Sequence, residues 1–142
     1  MGRMGTTLPE LVGGFLLVTV IVSVGLPPMR SWGDRIAVSS AREEGIALFA
    51  LARRTAPGSG GALIRIDPSS GAASVLVRGE PVREVNFPKR FGVEVDPGRD
   101  GVVELQYDAL GLGRGASRTL LFRRGDAEAG VVVSSRGRVR RR

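Results

Sequence analysis

GTTLPELVGGFLLVTVIVSVGLPP, residues 5–28, is the stretch that decides how the rest of this chain is read. From Leu11 to Leu26 it runs sixteen residues without a charge, and counting from Thr6 the low-charge stretch is 21 residues, broken only by Glu10. About 20 residues of helix cross a bilayer core of roughly 30 Å, so the segment is long enough to span. Proline has no amide hydrogen and clashes with the preceding turn, so Pro27 and Pro28 are expected to stop or kink the helix.

Three readings compete. An ordinary signal anchor needs only the apolar run. A cleaved secretory signal would use Arg3 as its charged region and Ser23-Val24-Gly25 as a small-residue cut site. Both leave unexplained the short leader ending in Gly5 and the segment Thr6-Thr7-Leu8-Pro9-Glu10 before the apolar run. That segment resembles the type IV prepilin signature, in which a peptidase cuts after a glycine and a glutamate stands at the fifth mature position. The resemblance implies cleavage between Gly5 and Thr6, N-methylation of Thr6, and assembly roles for Glu10 and for Pro27, which falls at the mature position where pilins and pseudopilins commonly carry proline. Thr6 stands where the family usually has Phe, and Pro9 where it usually has an aliphatic residue.

Physical chemistry points to Glu10 without the family name. An acidic side chain at helix-centre depth costs about 2.5–3.5 kcal/mol on insertion scales, which makes an intramembrane carboxylate a functional candidate. Cleavage after Gly5 would free a cationic amine on Thr6, and the Glu10 carboxylate of one subunit could pair with the Thr6 amine of a neighbour. The pair would set register as well as attraction, because each charge is neutralised only on assembly. Alternatively, Glu10 snorkels to the headgroups from the helix end. The positive-inside rule gives little help with orientation. Arg3 is on the inner flank, whereas Arg30 and Arg35 follow the outer end, so orientation rests on the leader motif.

The 142 residues suffice for one domain with a core. Aromatic content is 5%, so the core must rest on Val, Leu, Ile and Ala; the 21 glycines against 8 prolines suggest many turns and short strands. The chain has no Cys, which excludes disulfides and thiolate metal sites. It has no His either, which removes the usual general base near neutral pH and the commonest metal ligand. Carboxylates such as Asp67, Asp96, Asp100 and Asp108 sit in turn sequences, where Asp is favoured for local hydrogen bonding. An enzyme is therefore the least supported class.

Beyond Ser31 the apolar residues Val38, Ala41, Gly45, Leu48, Phe49 and Ala52 recur at three- and four-residue spacing, predicting an amphipathic helix to about Ala56, ended by Pro57-Gly58-Ser59-Gly60-Gly61. After Gly61 the period changes to two. Strands are expected over 62–67, 73–78, 81–87, 91–95, 102–107, 119–124 and 130–134, with a flexible loop at 111–115. The fold class is α+β: a long N-terminal helix, its first half in the membrane and its second half amphipathic, packed on a C-terminal antiparallel β-sheet domain. The expected organisation is leader 1–5, transmembrane and filament-core helix 6–30, and periplasmic globular domain 31–142.

This layout is similar to that of the GspH/FimT family of minor pseudopilins and minor pilins, from the prepilin start to the closing Val131-Val132-Val133-Ser134-Ser135-Arg136-Gly137-Arg138-Val139-Arg140. The resemblance implies a single-pass inner-membrane protein of a type II secretion pseudopilus or a type IV pilus, handled by a prepilin peptidase/methyltransferase and assembled with other pseudopilin subunits. It implies neither cofactor nor metal. The net charge of +7 is unevenly placed, because Arg136, Arg138, Arg140, Arg141 and Arg142 crowd the last seven residues. Gly137-Arg138-Val139-Arg140 matches a GRxR pattern of DNA-binding FimT-type pilins. In an extended chain Arg136, Arg138, Arg140 and Arg142 would share one side and suit duplex phosphates. The alternative is a frayed, solvated terminus.

Overall fold

The computed structural model describes residues 8–98 and 101–142, with side chains at all of these except 24–29. The chain divides into two units, Met1–Gly33 and Asp34–Arg142. Helix α1, Leu8–Ser59, contributes to both. It continues through Pro27-Pro28, which therefore do not stop it, and ends at Ser59, inside the Pro57–Gly61 stretch expected to end it. A proline deletes one amide donor, and the helix-compatible residues on either side carry the hydrogen-bonding on. Two glycines do what the prolines do not. Gly60 and Gly61 adopt φ of +81° and +139°, a region open to residues without a Cβ. Arg78 Nε then donates to the terminal carbonyl of Ser59 at 3.4 Å.

Within the second unit the helix buries one stripe. Val38, Ala41, Leu48, Phe49, Ala52 and Ala56 are at most 2% exposed, spaced three and four apart as the apolar pattern requires. The strands they face are β1 (Gly61–Asp67), β2 (Ala72–Val77), β3 (Glu80–Asn86), β4 (Glu94–Asp96), β5 (Val103–Asp108), β6 (Gly113–Arg114), β7 (Arg118–Arg124), β8 (Ala127–Val133) and β9 (Val139–Arg141). They form two antiparallel sheets, β3-β2-β1-β5-β6 and β4-β7-β8-β9. The central strands β1 and β5 turn alternate residues inward, as in Val103, Leu105 and Tyr107 of β5. The inward rows of both sheets and the helix stripe make one core.

Helix and second sheet approach closely at one point. Phe122 of β7 is fully buried, and its Cζ lies 2.9 Å from where a Cβ on Gly45 would be. Gly45 thus lets the ring pack straight onto the helix backbone. The ring also meets Phe87, centroid to centroid 5.1 Å. Phe87 opens α2, Phe87–Phe91, a five-residue helix capped by the Asn86 side chain, which accepts from Lys89 N at 2.9 Å. Gly92 at φ +64° closes it.

Two expectations are corrected here. Residues 87–91 form α2, so the strand expected at 91–95 shrinks to β4. Gly113 and Arg114 pair with β5 as β6 and are not a free loop. In agreement with the expected antiparallel β domain, the strands form two antiparallel sheets, and α2 carries the chain from the edge of one to the edge of the other. Among the described residues no helix is long and apolar enough to cross a membrane.

Candidate functional site

The first half of α1 is apolar on every side. Leu8, Leu11, Val12, Phe15, Leu16, Leu17, Val18, Val20, Ile21 and Val22 are all exposed, a surface that water does not stabilise and that a partner or lipid must cover. Its polar groups are satisfied locally: the Thr19 hydroxyl donates to the Phe15 carbonyl at 2.8 Å and the Ser23 hydroxyl to the Thr19 carbonyl at 2.7 Å. Such back-bonding to the preceding turn leaves little polar surface to hydrate. Within Leu8–Ser23 Glu10 is the one ionisable side chain, and it lies in the first turn, where the helix macrodipole favours an anion. Gly5 and Thr6 lie outside the described residues, as does the side chain of Pro27.

The second candidate is the arginine-rich C-terminus, and the structure takes the expected strip apart. Residues 134–138 make a tight turn in which Gly137 N donates to Ser134 O and Ser134 N to Arg138 O, each at 2.8 Å. Gly137 itself is buried at φ +77°, and a Cβ there would lie 2.5 Å from Tyr107 Cε1. The glycine of the GRxR pattern is therefore required by packing against Tyr107 and Gly113. Beyond the turn, β9 pairs with β8, and Arg142 exchanges backbone hydrogen bonds with Gly130 at 2.9 and 3.2 Å. The terminus is a paired strand and is not frayed.

This register separates the arginines. Arg141 stands opposite Val131 on the inward side and forms an ion pair with Glu43 of α1 at 2.9 Å. The Arg141 hydrogen bond, ahead of the contribution of Arg42, holds the Glu43 carboxyl below its ordinary range. Arg140 and Arg142 share the outer face, whereas Arg136 and Arg138 belong to the turn. Among the described residues Arg136, Arg138, Arg140 and Arg142 have no carboxylate partner.

The carboxylates that could have suggested chemistry are occupied by turns. Asp67 accepts from Ser69 N, Ser69 Oγ and Ser70 Oγ at 2.9, 2.6 and 2.9 Å. The hydroxyl of Ser69, then that of Ser70, lowers its pKa. Asp108 Oδ1 accepts from Leu110 N and Leu112 N at 2.9 and 3.0 Å, and the Leu112 amide is the largest cause of its lowered pKa. Asp96 Oδ1 accepts from Gly98 N at 2.7 Å, and Asp100 lies outside the described residues. Among the described residues no three potential metal ligands come together. Sequence reasoning missed Glu44, which receives Arg83 from β3 and Arg90 from α2 and ties both to the helix. Only its burial in the folded domain, at 13% side-chain exposure, sets it apart from its neighbour Glu43.

The architecture is shared with known proteins. The type IV minor pilin FimU of Pseudomonas aeruginosa (strain PAO1) superposes with a TM-score of 0.57 at 21% identity, over 76% of this chain and 90% of that one. The minor pseudopilin EpsH of the Vibrio cholerae type 2 secretion system superposes with a TM-score of 0.53 at 19% identity, over 74% of this chain and 94% of that one. No family model and no curated protein matches the sequence. At these identities the likeness is one of fold, and the fold is the helix on antiparallel sheet that the sequence led us to expect.

Proposed function

We propose that this chain is a minor subunit of a type IV pilin-like filament, specifically a minor pseudopilin of a type II secretion pseudopilus that helps to start or cap the filament. The observation that carries this reading is the apolar helical half of α1 bearing a single carboxylate, Glu10, in its first turn. A soluble subunit gains nothing from so much exposed apolar helix. Two successive environments suit it: inner-membrane lipid before assembly, with 31–142 on the periplasmic side, and the helices of other pilin subunits afterwards. The charge-free sequence continues through Leu26, which adds the length that crossing a bilayer needs.

The chemistry follows from charge neutralisation. A prepilin peptidase/methyltransferase cuts between Gly5 and Thr6 and methylates the Thr6 amine. The cationic amine of one subunit and the Glu10 carboxylate of the next then neutralise each other in an apolar setting, where an isolated charge is costly. Mass spectrometry of the intact protein extracted from its host membrane tests the reading. Loss of Met1–Gly5, with or without one methyl group, is expected. Retention of those residues, or loss of everything through Gly25, overturns it.

A second reading rests on the four unpaired C-terminal arginines: a minor type IV pilin that captures duplex DNA for uptake. Such binding would be sequence-blind and would weaken steeply with salt. A mobility shift with duplex DNA tests it through point changes at Arg136, Arg138, Arg140 and Arg142. Truncation is unsuitable because it also removes β9. No shift at low salt, or one indifferent to those changes, ends this reading.

A further inference from the structure

The outer face of the β4-β7-β8-β9 sheet is charged in an ordered way. Residues opposite one another in antiparallel strands project to the same face, so the register gives the face row by row. One row reads Asp96, Leu121, Gly130, Arg142 across β4, β7, β8 and β9. The next reads Glu94, Arg123, Glu128. On the other side of the first lies Thr119, Val132, Arg140. Arg123 pairs with both Asp96 (3.0 Å) and Glu128 (2.7 Å). The acidic end therefore keeps two carboxylates in excess, Glu94, Asp96 and Glu128 against Arg123. The β9 end presents two cations without partners, Arg140 and Arg142.

We propose that this face binds a second copy of the same chain about a two-fold axis running along the strands between β7 and β8. Such an axis reverses each row against itself. Asp96 comes to face Arg142 of the second copy, Arg123 faces Glu128, and Leu121 faces Gly130. Thr119 faces Val132. Asp96 and Arg142 meet their opposites, as do Arg123 and Glu128, whereas Glu94 and Arg140 lie at the ends of their rows with no residue of these rows facing them. The contact is isologous, as closed dimers require, and uses the ordinary separation of stacked sheets, about 10 Å, which Arg and Asp side chains can bridge. Two strands of seven residues and two of three, about 4.8 Å apart, offer on the order of 300 Å² per copy, less than half the roughly 800 Å² of a standard interface. The contact is accordingly weak and dependent on ionic strength, and it becomes significant where copies are concentrated on one surface.

A weak contact calls for trapping. The chain has no cysteine, so a single introduced thiol is unambiguous. The full chain carrying Leu121→Cys, in detergent at low ionic strength, is treated with a short bismaleimide and compared with Leu110→Cys, which is 78% exposed on a loop away from this face. We expect several-fold more dimer from Leu121→Cys. That excess should be lost with Arg140→Glu/Arg142→Glu, reduced by the milder Arg140→Gln/Arg142→Gln, and lost in molar salt, where the Debye length falls to about 3 Å. Equal yields from the two reporters overturn the proposal, because association through the apolar helix would bring both together. So does a Leu121→Cys dimer indifferent to the arginines, or one that forms only when duplex DNA is added.

Discussion

Replacing Gly45 by alanine sets two effects of known sign against each other. In a helix interior the change gains about 0.5–1 kcal/mol by reducing backbone freedom in the unfolded chain. Against this, the new methyl lies 2.9 Å from Phe122 Cζ and 3.5 Å from Cε2. A long flexible side chain would move aside, but Phe122 is fully buried, with the Phe87 ring 5.1 Å away. Overpacking of this kind costs about 1–3 kcal/mol, so the strain wins and the net loss is about 1–2 kcal/mol. Gly58→Ala is the matched control, since it lies on the same helix with nothing within 4 Å of the added carbon. Every buried core residue among those described lies between Val38 and Val133, so the measurement suits the fragment 34–142, with thermal unfolding followed by far-ultraviolet circular dichroism. Gly45→Ala should lower the thermal midpoint by roughly 4–8 °C per kcal/mol, whereas Gly58→Ala should leave it level or raise it. Phe122→Leu, itself destabilising, should remove most of the Gly45→Ala penalty, since the two share one contact. A midpoint raised by Gly45→Ala, or a penalty that survives Phe122→Leu, would refute this account of how helix and sheet meet.

Two further predictions concern the loops. Gly137→Ala combines a φ of +77° with a contact of 2.5 Å to Tyr107; it should cost about 2–4 kcal/mol, read as a lowered urea midpoint. Any loss of DNA binding in that variant would then report misfolding, whereas Arg138→Ala should bind less while unfolding normally. Asp108 has a folded pKa below its ordinary value, chiefly through the Leu112 amide. Its stabilising effect is therefore complete above the unfolded pKa of about 3.9 and is lost as pH falls through the folded value. Asp108→Asn should unfold more readily than the parent at pH 7 and differ least from it near pH 2; a gap that widened on acidification would contradict the linkage.

Much of this protein was legible in one dimension. The charge-free run with Glu10 near its start, the helical spacing from Val38 to Ala52 and the switch to period two after Gly61 depend on neighbours a few residues apart. Local chemistry therefore fixes them, and the helix, most of the strands and the α+β class follow. Asp67 and Asp96 were likewise readable as turn residues, because their hydrogen bonds close within three positions. What escaped was short or distant. The five residues of α2 are too few to display a period, and β6 exists only because β5 supplies its partner. The arginines at the C-terminus look like one strip on an isolated extended chain. Pairing of β9 with β8, and the buried turn at Gly137, turn Arg141 toward Glu43 and leave Arg140 and Arg142 on the outer face. Side-chain direction in a strand is set by register with a partner, and register is a long-range contact that no local pattern contains.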